Sequence, residues 1–231
     1  EYTSAVGFGD GMIFVGTGDG RVIARNSMTG ALKWVVRMSS EVLAAPVSED
    51  GITVVRSADG SVVGLDARSG TEIWNYRRSA PKLTIRGNSN PVIEGGIIIS
   101  GLDSGRLIAL DLKVGRLIWN KALAVPTGRT DLERMVDIDG DPLIDDDIIY
   151  VGSYQGGVTA LSALDGQILW SREISSYNGL TAGEGRIYVV DEDSNIWALN
   201  ENDGISIWKQ NKLAKRYVTS PVYFENHIIV G

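Results

Sequence analysis

Apolar and polar positions alternate along this chain in short runs that never settle into a helical stripe. The runs are rich in β-branched residues and are closed off by glycine, asparagine or aspartate about every dozen residues, which predicts strands and tight turns. The alternation also repeats on a longer scale. Tryptophans stand at Trp34, Trp74, Trp119, Trp170 and Trp208, each with a glycine four residues before it: Gly30, Gly70, Gly115, Gly166 and Gly204. The stretches "GRVIARNSMTGALKW", "GSVVGLDARSGTEIW", "GRLIALDLKVGRLIW", "GGVTALSALDGQILW" and "SNIWALNENDGISIW" are five copies of one fifteen-residue pattern. Each reads as a strand, a turn with Asp, Asn or Ser and a glycine, and a second strand ending in Trp.

A further strand pair stands before the copies, as in "APVSEDGITVV", "NPVIEGGIIIS" and "DPLIDDDIIYV", and the same pattern returns after the last in "SPVYFENHIIV". Four short antiparallel strands per repeat of roughly forty residues predict an all-β fold, a β-propeller of four-stranded blades marked by Gly-x-x-x-Trp. A β-sandwich would also supply short strands, but not the same glycine–tryptophan register five times. Residues 1–231 then form a single propeller segment of about five blades' worth, with Trp-ended repeats closing near 34, 74, 119, 170 and 208. The opening "EYTSAV" reads as mid-pattern, so we expect an internal segment of a longer propeller. The five tryptophans are expected to be mostly buried, each docking its blade on a neighbour. Trp197, off this register in "NIWAL", is expected in the core or partly exposed.

Blade length is constant. The same 28 residues separate Pro46 from Trp74, Pro91 from Trp119, Pro142 from Trp170 and Leu180 from Trp208. All variation lies in the connection from the Trp strand to the next blade's first strand, where the steps are 12, 17, 23, 10 and 13 residues. The two long connections, 75–90 and 120–141, are consecutive and in an up-and-down blade would emerge side by side. Insertions on one face of a repeat fold are commonly a binding feature. The first holds "APKLTIRG", residues 80–87, which alternates like a strand, Leu83 and Ile85 on one side and Lys82 and Thr84 on the other. Apolar side chains left in water forgo about 1.5–3 kcal/mol each, so either the protein itself or a partner should cover them.

The chain has 231 residues, 43% of them hydrophobic, with 28 glycines and six tryptophans, enough for a large β-rich core. A net charge of −7 without a long basic run argues against nucleic acid and against direct binding to anionic lipid. No apolar run reaches the length of a membrane span, and the first residues do not read as a signal peptide. There is no cysteine, which removes disulfides, thiolate catalysis and cysteine-ligated metal sites.

Other motifs lose their interest on inspection. "DIDGDPLIDDD" suggests a calcium loop, but counting from Asp137 the sixth and twelfth positions hold Pro142 and Ile148 instead of Gly and Glu. Asp145, Asp146 and Asp147 align with "EDG" and "EGG" of other blades and read as a strand-to-strand turn. "GTGDGR", "GLDSGR" and "GSYQGG" join strand to strand, whereas a phosphate cradle opens a helix. His227 is the only histidine and has no evident nucleophile to serve, so a surface or core role is expected.

The Gly-x-x-x-Trp blades resemble the pyrroloquinoline-quinone (PQQ) repeat propellers. Within that class, "LTIRG" followed by "TGRTDLERMVDIDGDP" is similar to the BamB family, lipoproteins of the machinery that assembles outer-membrane β-barrels. The resemblance runs over all 231 residues and implies an eight-bladed propeller on the periplasmic side of the outer membrane. It implies a lipid anchor on an N-terminal cysteine, which this chain does not contain, and binding to the POTRA domains of BamA. Unfolded outer-membrane proteins are a further class of contact it allows. The family's partner-binding positions fall on Leu83, Thr84, Ile85 and Arg86 in one connection and on Asp137 and Asp139 in the next. The chain departs from the family in having Ile85 where leucine is common, and Gly140-Asp141 after the aspartates. We therefore expect a non-catalytic scaffold without cofactor or metal, in which Arg86 lies near Asp137 and Asp139. The alternatives are a PQQ-dependent dehydrogenase, which would need a calcium-bound cofactor, an aspartate base and often paired cysteines, and a sensor propeller.

Overall fold

The computed structural model describes residues 2–77, 89–102, 105–123, 138, 140–153, 156–176 and 178–231. Among these residues every regular element is a strand. The first sheet has β1 (Tyr2–Gly9), β2 (Met12–Thr17), β3 (Arg21–Asn26) and β4 (Leu32–Arg37) in sequence order. The second repeats it with β5 (Val47–Glu49), β6 (Ile52–Arg56), β7 (Val62–Asp66) and β8 (Glu72–Tyr76). The third comprises β9 (Val92–Glu94), β10 (Ile97–Leu102), β11 (Arg106–Asp111) and β12 (Leu117–Ala122). The fourth has β13 (Leu143–Asp145), β14 (Ile148–Ser153), β15 (Gly157–Ser162) and β16 (Ile168–Arg172). The fifth has β17 (Thr181–Gly183), β18 (Arg186–Val190), β19 (Ile196–Asn200) and β20 (Ser206–Gln210), and β21 (Val222–Phe224) pairs with β22 (His227–Ile229). Two compact units contain these sheets: Glu1–Asp103 with Ile108–Ile118, and Ser104–Leu107 with Trp119–Gly231.

The turn between the first two strands of each sheet is a two-residue loop with φ positive at both positions. These are Asp10-Gly11, Asp50-Gly51, Gly95-Gly96, Asp146-Asp147, Glu184-Gly185 and Glu225-Asn226. Such backbone matches the right-handed twist of paired strands, which is why Asp, Asn and Gly dominate here. The three consecutive aspartates thus form a turn, as the alignment with other blades predicts: Asp145 ends β13, and Asp146 and Asp147 reverse the chain with φ 45° and 63°.

The turn before each tryptophan strand is built differently. Asn26, Asp66 and Asp111 each accept hydrogen bonds through Oδ1 from the N–H groups two and three residues on. These side chains mimic a backbone turn. The motif glycine closes the turn, its N–H donating to the carbonyl of the residue four back, with φ between 65° and 75° at all five positions. An extra residue follows in the tryptophan strand. Ala24 lies opposite Trp34 but Arg25 opposite Leu32, and the same bulge recurs beside Trp74, Trp170 and Trp208. The residue facing the tryptophan is small: Ala24, Gly64, Ala160 and Ala198.

Four of the five tryptophans then reach the following blade. In the first unit, Trp34 Nε1–H donates to the Ala67 carbonyl and Trp74 Nε1–H to the Leu112 carbonyl, both at 2.8 Å. In the second unit, Trp119 donates to Ala163 and Trp170 to Glu201, again at 2.8 Å. The ring lies on the motif glycine of that same following turn: a Cβ on Gly70 would stand 2.8 Å from the Trp34 ring, and one on Gly115 2.5 Å from that of Trp74. Gly166 stands in this relation to Trp119, and Gly204 to Trp170. The Gly-x-x-x-Trp spacing therefore carries both halves of a joint, a ring for the next blade and a flat seat for the ring of the preceding one.

The core follows the joints. Phe14, Val22, Trp34, Val55, Val63 and Leu65 pack together between the first two blades, and Val54, Val62, Trp74, Ile98, Ile108 and Leu110 between the second and third. Tyr150, Val158, Trp170, Ile187, Val189 and Leu199 do the same between the fourth and fifth. Four of the five tryptophans are 7–9% exposed, but Trp208 is 38% exposed, against the expectation that all five are buried. The seat it would occupy falls past residue 231 in the repeat register, since the earlier acceptors lie 31 to 44 residues beyond their tryptophans.

Candidate functional site

The connections leaving the tryptophan strands differ in length from blade to blade, and the candidate partner residues lie in two of them. Leu83, Thr84, Ile85, Arg86, Asp137 and Asp139 fall outside the described residues. The flanks of those connections are described and are firmly held. At the end of the first, Ser89 and Pro91 are buried. Asn90 Oδ1 accepts from the Ala45 N–H at 2.6 Å, and the buried Arg56 donates through Nη1 to the Ser89 carbonyl at 3.4 Å. At the end of the second, Ile138 is 1% exposed, and a Cβ on Gly140 would lie 2.6 Å from the Asn178 carbonyl oxygen. Ile138 is an anchor that the motif analysis does not single out. The signal available was a single apolar residue within the acidic run.

The shorter connections show how such segments are fastened. In 38–46, the Met38 N–H donates to the Gly20 carbonyl and the Val42 N–H to Thr17, while Glu41 accepts through its carbonyl from the Ala58 N–H. Ser39 and Ser61 both donate to the Asp59 carboxylate at 2.6 Å. Burial pushes Asp59 up, but these hydroxyls, the Ser61 N–H and the charge of Arg77 outweigh it and hold the carboxyl below its ordinary value. In the second unit, Ser175 accepts through its carbonyl from the Glu192 N–H, and Ser176 Oγ donates to the Val190 carbonyl at 2.7 Å.

The fifth blade carries a denser cluster. Asp191 accepts from Trp197 Nε1–H at 2.8 Å and from the Asn195 N–H and amide at 2.8–3.0 Å. Lys209 Nζ lies 3.7 Å from Asp191 Oδ2 and 4.3 Å from the centre of the Trp197 ring. Burial raises Asp191, yet the indole and amide donors, with the Lys209 charge, hold it below the usual carboxylate range. Trp197 is thus half-buried, and its polar edge clamps the turn between β18 and β19.

Chemically, these groups are structural. The carboxylates held low, Asp19, Asp59, Asp66, Asp165 and Asp191, all accept hydrogen bonds within or beside turns. Tyr150 is pushed up to about 12, chiefly by burial, and its hydroxyl donates to the Glu201 carbonyl at 3.4 Å. Among the described residues no group of three or more His, Asp or Glu side chains could hold a metal ion. His227 is exposed, with Nδ1 2.6 Å from the Glu225 carbonyl.

With these sheets and joints established, known proteins provide the comparison. A family model described as outer membrane protein assembly factor BamB matches residues 1–210. The chain belongs to the BamB family. It is 36% identical to the BamB of Yersinia pestis over 95% of this chain and 56% of that protein. It is 40% identical to the BamB of Alteromonas naphthalenivorans over 96% of this chain and 53% of that one. The chain therefore spans about half the length of these curated relatives. The crystal structure of BamB from Moraxella catarrhalis superposes with a TM-score of 0.92 at 30% identity, covering 100% of this chain and 70% of that one. The expected fold holds: the sheets are blades of a β-propeller. A quinohemoprotein alcohol dehydrogenase from Comamonas testosteroni has a TM-score of 0.73 at 17% identity, covering 91% of this chain and 43% of that one, a likeness of fold alone. The matching family and curated relatives bear the name of an assembly factor, not of an enzyme.

Proposed function

We propose that this chain is the blade-bearing part of a non-catalytic accessory subunit for the assembly and insertion of β-barrel proteins into the outer membrane. It works on the periplasmic side of that membrane, in a whole protein held there by an N-terminal lipid. The observation that carries this reading is the BamB family match over residues 1–210. The blades suit the role, since their tryptophans hold one blade to the next and their turn carboxylates brace the turns, which leaves the variable connections to meet a partner.

The partner is BamA, met through its POTRA domains. Leu83 and Ile85 are the apolar anchors and Thr84 lies between them. Arg86 offers a forked donor to a carboxylate or carbonyl, and Asp137 and Asp139 contribute from the next connection. The test is calorimetric titration of purified BamA POTRA domains into the parent protein, Leu83→Ala and Arg86→Ala. Losing an anchor typically costs on the order of 2 kcal/mol, so each variant should bind at least about tenfold more weakly with its melting temperature unchanged. Normal binding by both variants overturns the site assignment, and absence of binding by the parent overturns the partner. Added calcium with PQQ should leave the melting temperature where it is, whereas a quinoprotein would be stabilised by both.

A further inference from the structure

Positive φ at a residue other than glycine is unfavourable unless something holds it there. In the described part of this chain such residues form two groups. Seven are in the two-residue turns between the first and second strands of the sheets. The remaining three, Ser194 (65°), Lys215 (61°) and Tyr217 (55°), are together in the fifth blade. Backbone hydrogen bonds hold them: the Lys215 N–H donates to the Asp193 carbonyl at 2.6 Å, and the Tyr217 N–H to Ser194 Oγ at 3.0 Å. Leu213 and Val218 fasten the same segment from below by packing against Val190 and Ile196. The connection from β20 to β21 is therefore a built loop with a strained backbone.

What the loop displays is specific. Tyr217 is 86% exposed, and Lys212, Lys215 and Arg216 beside it are exposed too. Lys209, nearby on β20, is spent on Asp191 and Trp197, but no ion pair joins Lys212, Lys215 or Arg216 to a described carboxylate. The neighbouring turn carries the exposed Glu192 and Asp193, whose backbone the loop touches through the Lys215 N–H, so two carboxylates border the loop on that side. Three cations and an aromatic ring within six residues stand out on a chain of net charge −7. Tyrosine and arginine are the residue types that most often carry binding energy at protein interfaces.

We propose that residues 212–217 form an interaction surface for an acidic segment of a protein partner. The arginine fork and the two ammonium groups take its carboxylates, and the Tyr217 ring packs on its backbone or an apolar side chain. An anionic membrane is the weaker candidate, because the protein's overall negative charge opposes approach to such a surface and the loop carries one aromatic group with no apolar face to insert. This surface uses none of residues 83–86, 137 or 139, so its failure and failure of the BamA reading are separate results.

The experiment uses the full-length protein and a twelve-residue peptide of alternating glutamate and leucine, with a glutamine-for-glutamate peptide as control and vesicles containing one-third anionic lipid as the competing ligand. Binding is followed by amide NMR shifts and by calorimetry at two salt concentrations. The expected result is binding of the acidic peptide only, with shifts centred on 212–217 and weakening as salt rises. Lys215→Gln combined with Arg216→Gln should weaken it at least about tenfold. Tyr217→Gly supplies the control for folding. Glycine relieves the strained backbone, so this variant should melt no lower than the parent while binding more weakly. Equal binding of both peptides, binding of vesicles alone, wild-type affinity in all variants, or protection of Tyr217 by later residues of the full-length chain would each overturn the proposal.

Discussion

Substituting alanine for a motif glycine tests the joint directly, because the chain contains its own control. Gly115 and Gly30 have nearly the same backbone, φ 65° and 69°. A Cβ on Gly115 would lie 2.5 Å from the Trp74 ring, whereas one on Gly30 meets nothing within 4 Å. Both substitutions carry the left-handed backbone cost of about 1–2 kcal/mol. Gly115→Ala must in addition push the indole off its seat. Overpacking of this kind costs typically about 1–3 kcal/mol, and a lengthened bond from Trp74 Nε1 to the Leu112 carbonyl leaves two buried polar groups poorly paired. We expect about 1–2 kcal/mol for Gly30→Ala and about 3–4 kcal/mol for Gly115→Ala, read as urea midpoints at constant m-value. In a chain of this size the larger figure corresponds to a fall of roughly 10 °C in melting temperature. Near-equal losses in the two variants would show that the glycines are there for their φ alone and that the ring-on-glycine joint is energetically idle.

Two further outcomes follow from the same geometry. Trp74→Phe removes the donor to Leu112 and should cost about 2–4 kcal/mol, while Trp208→Phe, already 38% exposed, should cost less than about 1 kcal/mol in the same denaturation assay. Asp191 has a folded carboxyl below its ordinary value, so its contribution is complete above an unfolded pKa of about 3.9 and is lost as pH falls through the lower folded value. Denaturation midpoints at pH 7 and pH 3 should therefore differ less in Asp191→Asn than in the parent, and an unchanged difference would remove Asp191 from the account.

Where physics is local, the sequence could be read. The turns need residues that tolerate positive φ, and Asp-Gly, Gly-Gly and Asp-Asp announce themselves. The glycine–tryptophan spacing was readable because one short hairpin holds both partners in fixed register, and a constant 28 residues from Pro or Leu to Trp follows from that rigidity. The burial of Trp208 was misread, since it depends on a seat outside the chain's own repeat. The small residue opposite four of the tryptophans, such as Ala24 or Gly64, went unnoticed because a small residue in a strand looks unremarkable until the indole beside it is seen. Trp197 was visible as an anomaly, but its partners Asp191 and Lys209 come from a turn and another strand. The strained loop around Lys215 and Tyr217 had no sequence signal at all: neither residue favours positive φ, and only hydrogen bonds to another turn impose it. The candidate partner residues were legible only through family likeness, because a connection free to vary in length is also free of the periodic constraints that make strands readable.

The joint between blades has a direction. Trp34, Trp74, Trp119 and Trp170 each reach forward to the glycine and carbonyl of the blade that follows, never back to the blade before. Duplicating a whole interior repeat would therefore offer the same ring-on-glycine contact again, whereas losing part of one would spoil the joints on both of its sides. The same joint is made across connections of 10 to 23 residues, so a connection can change in length and sequence without disturbing the blades it links.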